Sequence, residues 1–236
     1  CRVRRYRIVT LQQLPPQLLN RVLQSSQYQM IPQVNVRKLG TVLLPSTLCE
    51  SHLIYNQLLP QHRNLMWRLL RTALPMGYKY SWSELLNPWC PHSCPIIESP
   101  FYLFWDCPTA QYQWSFFLQG WDIISATEIL SWDHILNHTI SPTARIKRLT
   151  RHAFAEGFGI VVGCICYRLW MNRNAIKHES PVRRDPFLAL RYVIANDIKL
   201  HFQSSMRRTH GPRRYHFASL RKILIASSQI YAHVFQ

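Results

Sequence analysis

Acidic residues are the scarcest resource of this chain. It carries 11 Asp and Glu against 28 Lys and Arg, a net charge of +17 over 236 residues. The acids are scattered, and there is no Asp-Asp pair. A polymerase holds two Mg²⁺ ions on paired carboxylates, and a nuclease of the RNase H kind also needs converging acids. Neither is expected here. A G-x4-G-K-[ST] phosphate loop and a G-x-S-x-G nucleophile elbow are also missing, so the chain reads as a non-enzyme. Glycine is scarce too, with 7 Gly against 15 Pro, which argues against a turn-rich all-β fold and against flexible linkers. The longest apolar run, Gly157 to Tyr167, is 11 residues between Glu156 and Arg168. A membrane span needs about 20, so a buried core helix is predicted and no membrane partner. The Gly159/Gly163 pair in that run permits close helix packing. No apolar signal segment follows the Arg-rich first residues. The chain opens on Cys1, which reads as a fragment of a longer protein or a decayed reading frame.

What is present is a core. Hydrophobic residues make up 47% of the chain, with 8 Trp, 11 Tyr and 10 Phe, a globular composition. Charge divides it into three parts. Residues 1–50 form a basic N-terminal segment with 7 basic and 1 acidic residue; 51–141 hold 4 and 6; 142–236 form a basic C-terminal region with 17 and 4. A near-neutral centre between basic flanks points to a polyanion, RNA or DNA, bound largely without sequence preference. Seven Cys, an odd number, fit a reducing compartment, so the expected location is intracellular, with the nucleus suggested by the basic flanks.

The periodicity is helical. Helices are predicted over 16–24, from Ser51 to Leu74, over 110–118 and 127–138, across 143–177, and over 186–202, where Phe187, Leu190, Ile194 and Ile198 form one face. Residues 203–215 read as a basic linker, and 217–235 as a helix or a strand. The fold class is mostly α: an irregular helical domain with a small Cys-rich module resembling a zinc knuckle.

That module spans residues 87–108, with five Pro and three Cys. Cys90, Cys94 and Cys107 are spaced so that short loops could bring three sulfurs to one Zn²⁺, each about 2.3 Å from the ion. A structural site wants a fourth ligand, and His92, His62 and His52 are the candidates. The alternative is that the thiols are free in a Pro-rich loop. His134 and His138, at i and i+4, read as surface histidines, and Cys164 and Cys166 as buried thiols.

The run Glu98-Ser99, Leu103-Phe104, Asp106-Cys107-Pro108 and Trp114 resembles the zinc-binding domain at the C-terminus of LINE-type (non-LTR) reverse transcriptases. Trp67 to Pro75 resembles the helix that precedes that domain, and Trp170-Met171-Asn172-Arg173-Asn174 an element that follows it. The resemblance covers about residues 60–178. It implies bound zinc, a role in engaging RNA or DNA during target-primed reverse transcription, and a polymerase portion as partner. Two departures stand out. Tyr102 occupies the place of a ligand histidine, and Cys90 to Cys94 has one intervening residue too many. The nucleic-acid contacts expected from charge are Arg207, Arg208, Arg213 and Arg214 beside His210, Tyr215 and His216; Arg145, Lys147, Arg148 and Arg151; and Arg2, Arg4, Arg5 and Arg7 about Tyr6. The competing reading is a structural or interaction module whose basic surface serves solubility.

Overall fold

Proline decides where several helices begin. Its missing N–H costs nothing in a first turn and its φ is already helical. In the computed structural model Pro60, Pro108 and Pro212 each open a helix. The structure describes residues 58–80, 87–126, 131–137, 140–143, 151–178, 187–208 and 210–236. In chain order the helices are α1 (Pro60–Leu70), α2 (Pro108–Phe117), α3 (Gln119–Ile124), α4 (Trp132–Asn137), α5 (Arg151–Lys177), α6 (Phe187–Arg208), α7 (Pro212–Ser227) and α8 (Gln229–Phe235). Strand content among the described residues is limited to two isolated antiparallel bridges, Trp89 with Ile97 and Ser125 with Pro142. The fold is mostly α, as the periodicity predicts.

The apolar run becomes the axis of the molecule. Every residue of α5 from Ala153 to Cys166 is buried, as expected of a helix that is hydrophobic all round. By length and composition α5 could cross a membrane, but 83% of its most apolar window is covered by the rest of the fold. α1, α2, α6 and α7 pack around it. At Gly163 a Cβ would sit 2.5 Å from Leu58 Cδ1, so a glycine is what lets the start of α1 lie against α5. α8 closes the far side. Trp121 Nε1 donates to the Tyr231 hydroxyl (2.8 Å), which donates to the Phe117 carbonyl (2.9 Å). One hydrophobic core joins described residues of the 51–141 and 142–236 segments, from Leu58 to Phe235.

Several boundaries differ from expectation. Pro60 starts α1 rather than interrupting it, and the helix stops at Leu70, four residues before Leu74, with Thr72 at φ 52° just beyond its end. Residues 203–215 are not a linker. α6 runs through Arg208 and α7 begins at Pro212, because Met206 packs against the core and extends the apolar face past Phe202. Residues 217–235 are helical, in α7 and α8. The expected helix at 16–24 lies outside the described residues, as do 51–57 and 127–130.

Candidate metal centre

Backbone pairing builds the cysteine module. Cys90 N donates to Ile96 O and Glu98 N to Pro88 O, both at 2.9 Å. These bonds close a narrow hairpin whose tip is Pro91-His92-Ser93, with Ser93 at φ 63°. The positive φ turns the chain tightly enough to return Cys94 toward Cys90. The fourth member arrives on a different device. Residues Tyr102–Asp106 form a π-helical turn, with Cys107 N bonded to Tyr102 O at 2.7 Å. The extra residue per turn swings Cys107 inward, and Pro108 then starts α2. The carbonyls loosened by the π turn are met from α2: Trp114 Nε1 donates to Phe104 O (2.6 Å) and Gln111 Nε2 to Trp105 O (2.7 Å). Leu103 and Phe104 are fully buried and Trp105 packs on Trp114, as their core reading expects.

Four ligand atoms converge. Cys107 Sγ lies 3.9 Å from Cys90 Sγ, 3.9 Å from Cys94 Sγ and 3.4 Å from His92 Nδ1, and Cys90 Sγ lies 3.7 Å from His92 Nδ1. A tetrahedral ion with bonds of about 2.3 Å to sulfur and 2.0 Å to nitrogen needs S–S edges of about 3.8 Å and S–N edges of about 3.5 Å. Both measured S–S edges lie about 0.1 Å above the first value, and the two measured S–N edges bracket the second. Cys90, His92 and Cys107 are the tightest three, with ligand atoms all within 4.8 Å of one another; Cys94 joins through Cys107. The cluster could hold a metal ion, and of the three candidate fourth ligands His92 is the one that stands beside the thiols. His62 faces a different part of the core, and His52 lies outside the described residues.

The three thiols differ in acidity: one is lowered and two are raised. The Cys90 thiol and His92, helped by the Thr109 N–H at the start of α2, lower Cys107 to about 4 despite its burial. The hydrogen bond to Cys107, then burial, pushes Cys90 up. Burial also raises Cys94, against a hydrogen bond from the Tyr102 hydroxyl. One thiolate is thus ready, and a divalent cation would supply the charge that lets the others ionise. Tyr102 stands beside the ligand set as a hydrogen-bond donor rather than a ligand.

The surroundings explain the rest of the motif. A histidine bound to metal through Nδ1 must carry its proton on Nε2 and needs an acceptor there. The Asn172 amide of α5 lies 3.2 Å from His92 Nε2, and Asn172 Oδ1 is buried without a partner among the described residues. Turning that amide so that oxygen faces His92 satisfies both groups at once. The next residue, Arg173, reaches Glu98 with Nε–Oε1 2.5 Å and Nη2–Oε2 2.6 Å, and Nη2 also meets Pro75 O at 3.1 Å. Glu98 therefore neither caps the following turn nor touches a ligand. Ser99 Oγ caps it, accepting from Tyr102 N at 3.1 Å. Glu98 Oε2 also accepts from Gly77 N at 2.9 Å. A Cβ at Gly77 would fall 2.0 Å from Pro88 O, so only glycine lets the 3-10 turn Gly77–Lys79 approach the hairpin.

A second group, His62, Cys164 and His201, also has ligand atoms within 4.8 Å of one another, all buried. Its protons are already assigned. His201 Nδ1 donates to Asp197 O (2.7 Å) while Nε2 accepts from Leu59 N (3.2 Å). Metal on Nδ1 would move the proton to Nε2, facing another N–H. Arg168 clasps Asp197 with two bonds of 2.6 and 2.8 Å, and His62 Nε2 adds a third at 3.3 Å. Sequence reasoning missed this network. The available signal was Asp197 at i−4 to His201 on an otherwise apolar face. Cys164 and Cys166 are buried, and burial raises both thiols. His134 bonds to Ser131, and His138 lies outside the described residues.

The expected nucleic-acid residues scatter in placement. Arg207 and Arg208 end α6 and Arg214 sits in the first turn of α7; all are exposed, and His210 and Tyr215 are exposed beside them. Arg213 lies in the same first turn. Arg145, Lys147, Arg148, Arg2, Arg4, Arg5 and Arg7 are outside the described residues. Comparison of the chain with protein-family models, curated proteins and solved structures finds no match.

Proposed function

We propose that this chain is a non-catalytic nucleic-acid-binding module of the kind found at the end of LINE-type reverse transcriptases, with a structural zinc ion on Cys90, His92, Cys94 and Cys107. Its task would be to hold RNA or DNA for a polymerase portion of the same protein. Three thiols and an imidazole gathered about Cys107 suit zinc better than hard cations, which prefer oxygen. When bound, the ion would tie the hairpin to α2 and so fold a Pro-rich segment that has little core of its own.

The observation that carries the nucleic-acid reading is the corner between α6 and α7. Arg207, Arg208 and Arg214 are exposed there, and α7 has no acid in its first turn. Cations at a helix N-terminus oppose its dipole, at about 0.3–1 kcal/mol each. A start of α7 arranged for stability alone would carry acids, whereas a polyanion offsets the repulsion there; Arg207 and Arg208, in the last turn of α6, sit where the dipole favours cations.

The test is binding of a mixed-sequence duplex across a salt series. If about three phosphates are neutralised, a fourfold rise in salt weakens binding on the order of 40-fold. Charge reversal at Arg207, Arg208 and Arg214 together should abolish most of that dependence. Binding that ignores salt, or survives the reversal, overturns the reading. Metal analysis of the purified chain should find one zinc, lost in Cys107→Ser.

A further inference from the structure

We propose that α2 and α6 together present a stacking platform for single-stranded nucleic acid, built from Arg191, Tyr112, Phe116 and Tyr192. This rests on the nucleic-acid reading above and gives it a second, chemically different contact surface.

Arg191 is the centre. Its guanidinium carbon lies 4.1 Å from the centroid of the Tyr112 ring and 3.8 Å from that of Phe116, one turn apart on α2. Such contacts hold the planar group by cation–π attraction. Among the described residues the guanidinium makes one hydrogen bond, Nη2 to Tyr112 O at 3.3 Å, and that carbonyl is shared with Ser115 Oγ at 3.1 Å. Arg191 Nε is buried without a partner among the described residues. No carboxylate is free to pair with it on either helix. α2 has no acid, and the one acid of α6, Asp197, is taken by Arg168 and His62. The result is a cation held in a fixed plane, with unused donors and no counter-charge from its own two helices.

The neighbouring surface is apolar and open. Tyr192 is 77% exposed and Leu188, one turn away, 68%. At about 100° per residue, Tyr192, Lys199 and Arg207 fall within roughly 80° of one another around α6. Tyr192 therefore lies on the stripe of α6 that leads to the basic corner, while Arg191, about 100° around the helix, stands beside it against α2. Aromatic faces and a guanidinium plane stack on bases of any sequence, while phosphates take the remaining N–H donors. A duplex keeps its bases stacked on each other and cannot use the rings. The surface should therefore favour single strands, in contrast to the basic corner, which needs only phosphates.

The experiment compares a fluorescein-labelled oligo(dT) with a mixed-sequence duplex of the same length, by fluorescence polarisation on the full chain. Tyr192→Ala and Arg191→Gln should each weaken oligo(dT) binding on the order of tenfold and leave the duplex unchanged. Tyr192 is mostly exposed, so its variant decides the matter if Arg191→Gln fails to fold. Equal weakening of both probes, or unaltered oligo(dT) binding, overturns the platform. So does a self-association that Tyr192→Ala abolishes while oligo(dT) affinity stays intact. If the unaltered chain binds neither probe, the underlying reading fails with it. If it binds both and only the charge-reversed corner weakens them, the platform alone fails.

Discussion

Arg173 and Glu98, 75 residues apart, form a two-pronged ion pair with side chains 4% and 0% exposed. Arg173 belongs to the long core helix and Glu98 to the hairpin that carries the metal ligands, so the pair fixes the centre to the fold. Breaking a buried pair leaves one charge uncompensated. Glu98→Gln should destabilise the chain by about 3–5 kcal/mol, read as a lower urea midpoint at unchanged slope. The double change Glu98→Leu with Arg173→Met should be less harmful than the sum of the two single changes. Additive losses would mean that the two residues do not act as a unit.

Gly77 is the point where the 3-10 turn Gly77–Lys79 touches the hairpin. Gly77→Ala brings a methyl group onto the Pro88 carbonyl, 2.0 Å away, and disturbs the bond from Gly77 N to Glu98. Forcing such a contact costs about 1–3 kcal/mol. Because Pro88 pairs with Glu98 next to Cys90, metal affinity should fall along with stability. A variant that loses neither contradicts the close approach.

Asn172 is a positioning residue for His92, acting through the Nε2 proton. Asn172→Leu should weaken metal binding about 10- to 100-fold while the stoichiometry stays at one. Asn172→Asp keeps an acceptor and should retain most of the affinity. Competition with a chromophoric chelator measures both. Equal losses in the two variants would assign Asn172 a packing role instead.

Acid should loosen the core in two steps. Burial, and secondarily the neighbouring His62, lowers His201 to about 4 from 6.5. Its neutral form is therefore favoured by folding, and the associated stability is present above pH 6.5 and lost as pH falls toward 4. Burial raises Asp197, but bonds from His62 and Arg168 outweigh it and hold the carboxyl at about 2. Its contribution is present above pH 3.8 and lost as pH falls toward 2. Denaturant midpoints between pH 7 and 4 should decline less steeply in His201→Gln than in the unaltered chain, both measured under chelator to remove the metal's own pH dependence. Parallel declines would refute the assignment.

Much of this was legible without coordinates. The apolar run from Gly157 to Tyr167 could only be a buried helix, because nothing polar interrupts its faces. The starts at Pro60 and Pro108 were not read, although proline favours a first helical turn, because the apolar pattern continues on the N-terminal side of Pro60 and the Cys-rich module adjoins Pro108. The clustering of Cys90, Cys94 and Cys107 was legible from their spacing, since short loops can return three thiols to one place. The ends of α1 and α6 were less legible, because helix termini depend on which side chains find core to cover; Met206 does, and so α6 passes through what composition suggests is a linker.

The linear chain therefore determined the helical class and the core helix, and it put forward three Cys with His92, His62 or His52 as a candidate cluster, all matters of local chemistry and spacing. Only the tertiary structure set His92 beside the thiols and gave His62 to Asp197 instead. It alone brought Asn172 to His92 and Arg173 to Glu98 across 80 and 75 residues. Such pairings depend on how α5 is rotated against the hairpin, and that rotation is set by the packing of the whole core, which no short stretch of sequence encodes.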